Sequence, residues 1–161
     1  MDTTWRLYYL DPSPFSPSER FPPTVNVVLA FLSFRDHLIA FPHEEQAIPP
    51  IFTYVKHGVR LDMVDDSALT KGPPNITYAH GIHVLEVASV AYTQLELGGP
   101  QRWALQTDIG FGNVRAADPR EVEGLRAIAV GEEEYRDFPS QASEVFDREA
   151  RKGNEELMVL R

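Results

Sequence analysis

The sequence contains no cysteine. This excludes disulfides, thiolate nucleophiles and cysteine-ligated zinc or iron–sulfur centres. Long hydrophobic runs are also missing. The longest apolar stretch, Val25 to Phe34, is interrupted by Asn26 and Ser33, and a membrane-spanning helix needs ~20 apolar residues. Met1 to Arg6 show no basic segment leading into an apolar one, so no signal peptide is read. These features predict a soluble, cytoplasmic protein with no membrane partner.

Positive charge is scarce too. Fifteen Lys and Arg stand against 24 Asp and Glu, a formal net charge of −9. Affinity for nucleic acid rests mainly on Lys and Arg contacts to phosphate, so broad nucleic-acid binding is not expected. The phosphate-loop, dinucleotide-binding, nucleophile-elbow and HExxH patterns are all absent. No cofactor is therefore expected, and the chain leans away from being an enzyme.

What is present suits a single domain over residues 1–161, a length at which one core suffices. Eight of the 13 prolines fall in the first 50 residues. Proline fixes φ and removes a donor, so residues 1–23 read as a proline-rich extended segment that includes a short first strand at Trp5 to Leu10. Such a segment suits wrapping a neighbour, and homo-oligomerisation stays open. Thr24 to Phe34 is nearly all apolar. Periodicity does not separate a buried strand from a buried helix there, and its β-branched and aromatic content favours a strand, continued by His37 to Phe41. Phe52–Lys56 and Val59–Met63 read as a hairpin turning at His57-Gly58, since Gly supplies the positive φ such a turn needs.

Residues His83 to Phe111 read as a second hairpin. Trp103, Leu105, Thr107, Ile109 and Phe111 alternate with more polar neighbours, a period of two. Leu85, Val87, Ala91, Leu95 and Leu97 would share the opposite arm's buried face. Pairing Leu95 with Trp103, or Leu97 with Trp103, puts both apolar faces on one side. The first also sets Glu96 across from Arg102. After Ala117 the pattern changes. Asp118-Pro119-Arg120-Glu121 has a helix N-cap, a proline at the first helical position and a capping-box glutamate. A second helix is expected over Gln141 to Lys152, and Glu156 to Arg161 reads as a strand or tail. The expected fold is α+β: an antiparallel, strongly twisted sheet of about five to seven strands with two C-terminal helices, in an acidic segment 118–161, packed on it or capping it.

Three groups of residues are candidates for chemistry. His80 and His83, followed by Glu86, resemble a metal-ligand run, but on a strand odd spacings alternate between faces. Asp62, Asp65 and Asp66 are an acidic cluster suited to a hard cation and equally suited to ending a strand and turning. His83, Thr93, Trp103 and Thr107, with Ser89, would project into a pocket if the sheet curls. There His83 would be the titrating group and the weak catalytic candidate. The leading functional expectation is a non-enzymatic binding or regulatory protein with an acidic surface, for example an inhibitor or immunity-type protein that binds a basic protein partner. Residues 118–161 alone carry 12 acidic against 7 basic side chains, and such a field steers association. The alternative is a small enzyme or ligand-binding protein with a pocket in a curved β-sheet.

Overall fold

The structure, a computed structural model, describes residues 5–10, 22–70, 72–94, 102–107, 110–129 and 156–160. Strand β1 (Trp5–Leu10) precedes helix α1 (Thr24–Ile39). The hairpin β2 (Ile51–Lys56) and β3 (Val59–Asp65) follows, then a single turn of helix, α2 (Ser67–Thr70), and the long helix α3 (Tyr78–Gln94). Strands β4 (Arg102–Thr107), β5 (Gly110–Ala116), β6 (Gly124–Ala127) and β7 (Glu156–Leu160) complete the order. The strands form one sheet, β6-β2-β3-β5-β4-β1-β7, in which every described pairing is antiparallel. The fold is therefore α+β with an antiparallel sheet.

The β2–β3 hairpin is where the sequence places it. Lys56 pairs with Val59, and the two turn residues both take positive φ, 54° at His57 and 74° at Gly58. Positive φ at both central positions is the turn whose twist matches that of paired strands.

Two expected strands are helices instead. Thr24 to Phe34 lies in α1, and the run from His83 lies in α3. In α1 the buried residues are Val27, Ala30, Phe31, Phe34 and Leu38, spaced at three and four as one helix face requires. In α3 they are Tyr78, Gly81, Val84, Leu85, Ala88, Ser89 and Tyr92, the same period. Leu95 and Leu97, the expected partners of Trp103, lie outside the described residues. Trp103 pairs with Tyr9 of β1 and Val114 of β5. The expected single strand through Phe111 is two strands, because Thr107 pairs with Gly110 and the chain reverses between them. The helix expected from Asp118 is also absent: residues 118–121 turn once, and the chain continues as β6. The described long helices, α1 and α3, precede most of the sheet in sequence. The proposed helix at 141–152 and the prolines at 12, 14 and 17 lie outside the described residues.

The helices cover one face of the sheet. Phe52 and Tyr54 of β2, Val59, Leu61 and Met63 of β3 and Val114 of β5 share a core with Phe31, Phe34, Leu38, Val84, Leu85 and Tyr92. Phe34 stacks on Tyr54 with centroids 5.2 Å apart, and Phe41 on Tyr78 at 4.1 Å. The Tyr54 hydroxyl is hydrogen-bonded to Ser33 of α1, as a buried phenol requires. Side chains alternate along a strand, so Thr53, Arg60 and Asp62 are presented on the face away from the helices. All three are nonetheless buried. No helix among the described residues is long and apolar enough to cross a membrane.

Candidate functional site

The second face of the hairpin carries charge where a core would be apolar. Thr53 and Asp62 are direct cross-strand partners, and the Thr53 hydroxyl donates to Asp62 Oδ1 at 2.7 Å. Arg60, two residues before Asp62 and on the same face, donates its Nε–H to the same oxygen at 2.9 Å. The side chains of Arg60 and Asp62 are 4% and 0% exposed. Asp62 Oδ2 has no hydrogen-bond partner among the described residues. Burying two charges costs several kcal/mol per ion before their attraction is counted, so this pair is not explained by stability alone.

The neighbouring strand adds a second cation. Arg115 of β5 is the cross-strand partner of Arg60. Like charges directly opposed destabilise a sheet, and here one carboxylate resolves the conflict. Glu121 Oε1 accepts from Arg60 Nη1 at 2.8 Å and from Arg115 Nη2 at 2.6 Å. Arg115 Nη1 donates to the Ala116 carbonyl. Burial on its own raises the Glu121 carboxyl, but the hydrogen bonds and charges of Arg115 and Arg60 outweigh it. The group is held below the usual carboxylate range.

Local sequence explains how Glu121 arrives there. Asp118 Oδ1 accepts the Arg120 N–H at 2.9 Å, the Asp118 carbonyl accepts the Glu121 N–H at 2.9 Å, and Glu121 Oε2 lies 3.4 Å from the Asp118 N–H. These are the bonds of a helix N-terminus. The helix does not propagate, because the Glu121 side chain is drawn onto the sheet and Gly124, at φ 126°, redirects the chain into β6. A φ of that size is open to glycine and strained for other residues. Asp118 is also held low, chiefly by the hydrogen bond from the Arg120 backbone.

Between this loop, strand β6 and the sheet lies a cleft of about 600 Å³, within the size range of small-molecule sites. Thr53, Val55 and Arg60 line it from the sheet, and Asp118 and residues 120–126 line it from the loop and β6. The lining charges balance: Arg60, Arg120 and Arg126 against Asp118, Glu121 and Glu123.

The residues singled out in the sequence are placed elsewhere. His83 and Thr93 are exposed on α3 and do not line the cleft. The Thr93 hydroxyl donates to the Ser89 carbonyl at 2.9 Å, and that of Ser89 to the Glu86 carbonyl at 2.7 Å, so both are spent on their own helix. Trp103 and Thr107 lie on β4. The curled ribbon that was to bring these four together does not exist, since its first arm is a helix. His80 is a capping residue. Its Nδ1 accepts the Thr77 N–H at 3.3 Å, and the Thr77 hydroxyl accepts the His80 N–H at 3.2 Å.

Of the aspartates, Asp62 belongs to the network above. Asp65 accepts backbone N–H groups of Ser67, Asn75 and Ile76 at 2.9, 2.7 and 2.6 Å. Asp66 is half-buried at the end of β3. Among the described residues no three His, Asp or Glu side chains are grouped as a metal ion would need. Arg60, Arg115 and Glu121 were missed in the sequence. Arg60-x-Asp62 was visible as a charged pair on one face of an otherwise apolar strand, whereas Arg115 and Glu121 are joined to it only by tertiary pairing. The chain matches no protein-family model, no curated protein and no solved structure.

Proposed function

We propose that the protein is a non-enzymatic binding protein that takes a small polar ligand, or a polar group of a protein partner, into the cleft beside Arg60. The observation that carries this reading is that Arg60, buried and paired with Asp62, lines the cleft. A buried charge with a specific partner in a cleft is a candidate functional position. The balanced lining favours a ligand that bears both charge and hydrogen-bonding groups. Binding is favoured over proton-transfer chemistry by the state of the lining groups. Glu121 and Asp118 are held low and are poor proton donors near neutral pH, and the Thr53 hydroxyl is committed to Asp62.

The test is a thermal-shift screen of polar metabolites on the wild-type protein and on Arg120→Glu and Arg126→Glu, two exposed positions beside the cleft. A compound that raises the melting temperature of the wild type but not of the variants supports the reading. Compounds that act equally on all three chains, or a screen with no stabilising compound, argue against it.

A second reading, docking to a basic protein partner through the acidic surface, is favoured by the net charge of −9. Association would then slow steeply as salt rises, whereas a rate indifferent to ionic strength would remove that argument.

A further inference from the structure

We infer that Arg60 and Arg115 form a carboxylate clamp that Glu121 occupies from within the chain, and that a carboxylate-bearing ligand enters the cleft by displacing Glu121. The inference rests on the reading of the cleft as a binding site and names the chemistry of its ligand.

Two arginines held side chain to side chain are an unfavourable arrangement unless an anion joins them. Arg60 and Arg115 are fixed opposite each other by the register of β3 and β5. The anion that joins them is not on the sheet. It is on the loop between β5 and β6, and a single oxygen of Glu121 meets both guanidinium groups. A ligand carboxylate would replace it with the same charge and the same donors, so the exchange leaves no guanidinium unpaired. Guanidinium and carboxylate are matched in shape and charge.

The loop has a turn that does not depend on the sheet. Its turn is held by bonds internal to it, from the Arg120 and Glu121 N–H groups to Asp118. Those bonds survive if Glu121 leaves the sheet. The loop is anchored at one end by the Ala117 N–H on the Gly58 carbonyl. At the other end stands Gly124, around whose missing Cβ no atom lies within 4 Å. The cleft also offers a place for the rest of the ligand: Arg120, 92% exposed, and Arg126 line it beside the clamp. A molecule with a second anionic group would meet a further cation there.

The experiment is an NMR titration of the full chain with succinate, and with neutral succinamide as control, on the wild type, Glu121→Gln and Glu121→Ala. Succinate is expected to shift the backbone amides of residues 118–123 and the side-chain Nε–H signals of Arg60 and Arg115. Succinamide is expected to shift none of them. Removing the internal competitor raises the fraction of binding-competent protein, so Glu121→Gln should bind succinate about tenfold or more tightly than the wild type. Unchanged or weaker binding by Glu121→Gln overturns the inference, as do shifts that leave residues 118–123 unmoved. If neither variant folds, the wild-type titration decides alone. Shifts at Thr53, Val55 and Arg126 without movement of the loop refute displacement but leave the cleft as a binding site. Absence of any succinate effect, with a different compound bound in the cleft, refutes the carboxylate class only.

Discussion

Arg60 and Arg115 stand opposite each other on adjacent strands, and their two guanidinium groups are 2.8 and 2.6 Å from the same oxygen of Glu121. Glu121 is therefore the residue that makes this part of the sheet tolerable. Its side chain is 18% exposed, so the arginines are shielded but not sealed from water. Glu121→Ala leaves both without their shared acceptor and should lower unfolding free energy by about 1–3 kcal/mol, measured by urea denaturation. Glu121→Gln keeps one acceptor oxygen and should cost less. Equal stability of wild type and Glu121→Ala would show that the loop contributes nothing to the sheet.

The same carboxylate sets a pH dependence. Its folded-state pKa is depressed by Arg115 and Arg60 beyond what burial raises. A depressed carboxylate contributes stability above its unfolded pKa and loses it as pH falls through the folded value. Stability should thus decline from about pH 4.3, the ordinary glutamate value, downwards. Glu121→Gln should flatten part of that decline. A curve of identical shape in the two proteins, followed by thermal unfolding at a series of pH values, would remove Glu121 as a contributor.

Asp65 performs a different task at the end of β3. Fully buried, it binds the N–H groups of Ser67, Asn75 and Ile76, tying the segment before α3 to the sheet. Asp65→Ala removes the acceptor of three donors, and those of the buried Ser67 and Ile76 each cost about 1–3 kcal/mol when left unsatisfied. The expected loss is about 3 kcal/mol or more, with hydrogen exchange at Asn75 and Ile76 accelerated ahead of that at β3. An Asp65→Ala protein that unfolds at the wild-type urea midpoint would contradict this assignment.

How much of this was legible in the sequence depends on the element. The β2–β3 hairpin was legible because turn chemistry at His57-Gly58 and alternation agreed. Helix α1 was not, because apolar residues occupy more than its buried face: Val25, Leu29 and Ile39 are exposed on it, and they drown the period. Its length carried the signal, since the apolar stretch from Val25 to Phe34 already exceeds the usual strand of about 4–8 residues. In α3 the signal was in Val84 and Tyr92, apolar residues off the face that alternation assigns to Leu85 and Val87. Val84 and Tyr92 are buried with Leu85 and Ala88, a spacing that only a helix puts on one side. The Asp118 box makes the hydrogen bonds of a helix start, but they close a single turn. What ends it is the Arg60–Arg115 pair from two other strands, which no local window contains. The site was half legible for the same reason: the Arg60-x-Asp62 pair is local, and the loop that closes over it is not.

Helix α3 offers the last prediction, and it concerns the histidines. Thr77 and His80 cap each other: the hydroxyl accepts the His80 N–H and the imidazole Nδ1 accepts the Thr77 N–H. This is a capping box with imidazole in the position usually held by Glu or Gln. Thr77→Ala should cost about 1 kcal/mol, as loss of an N-cap does, and His80→Ala a similar or smaller amount. His83, exposed one turn further on, should be replaceable by Ala within about 0.5 kcal/mol. The contrast separates a capping role from a liganding one, since ligands acting together would make the two histidines respond alike to an added metal. Urea denaturation of the three variants, with and without zinc, measures both. A zinc-dependent gain in the wild type that either histidine variant abolishes would return the pair to the status of ligands.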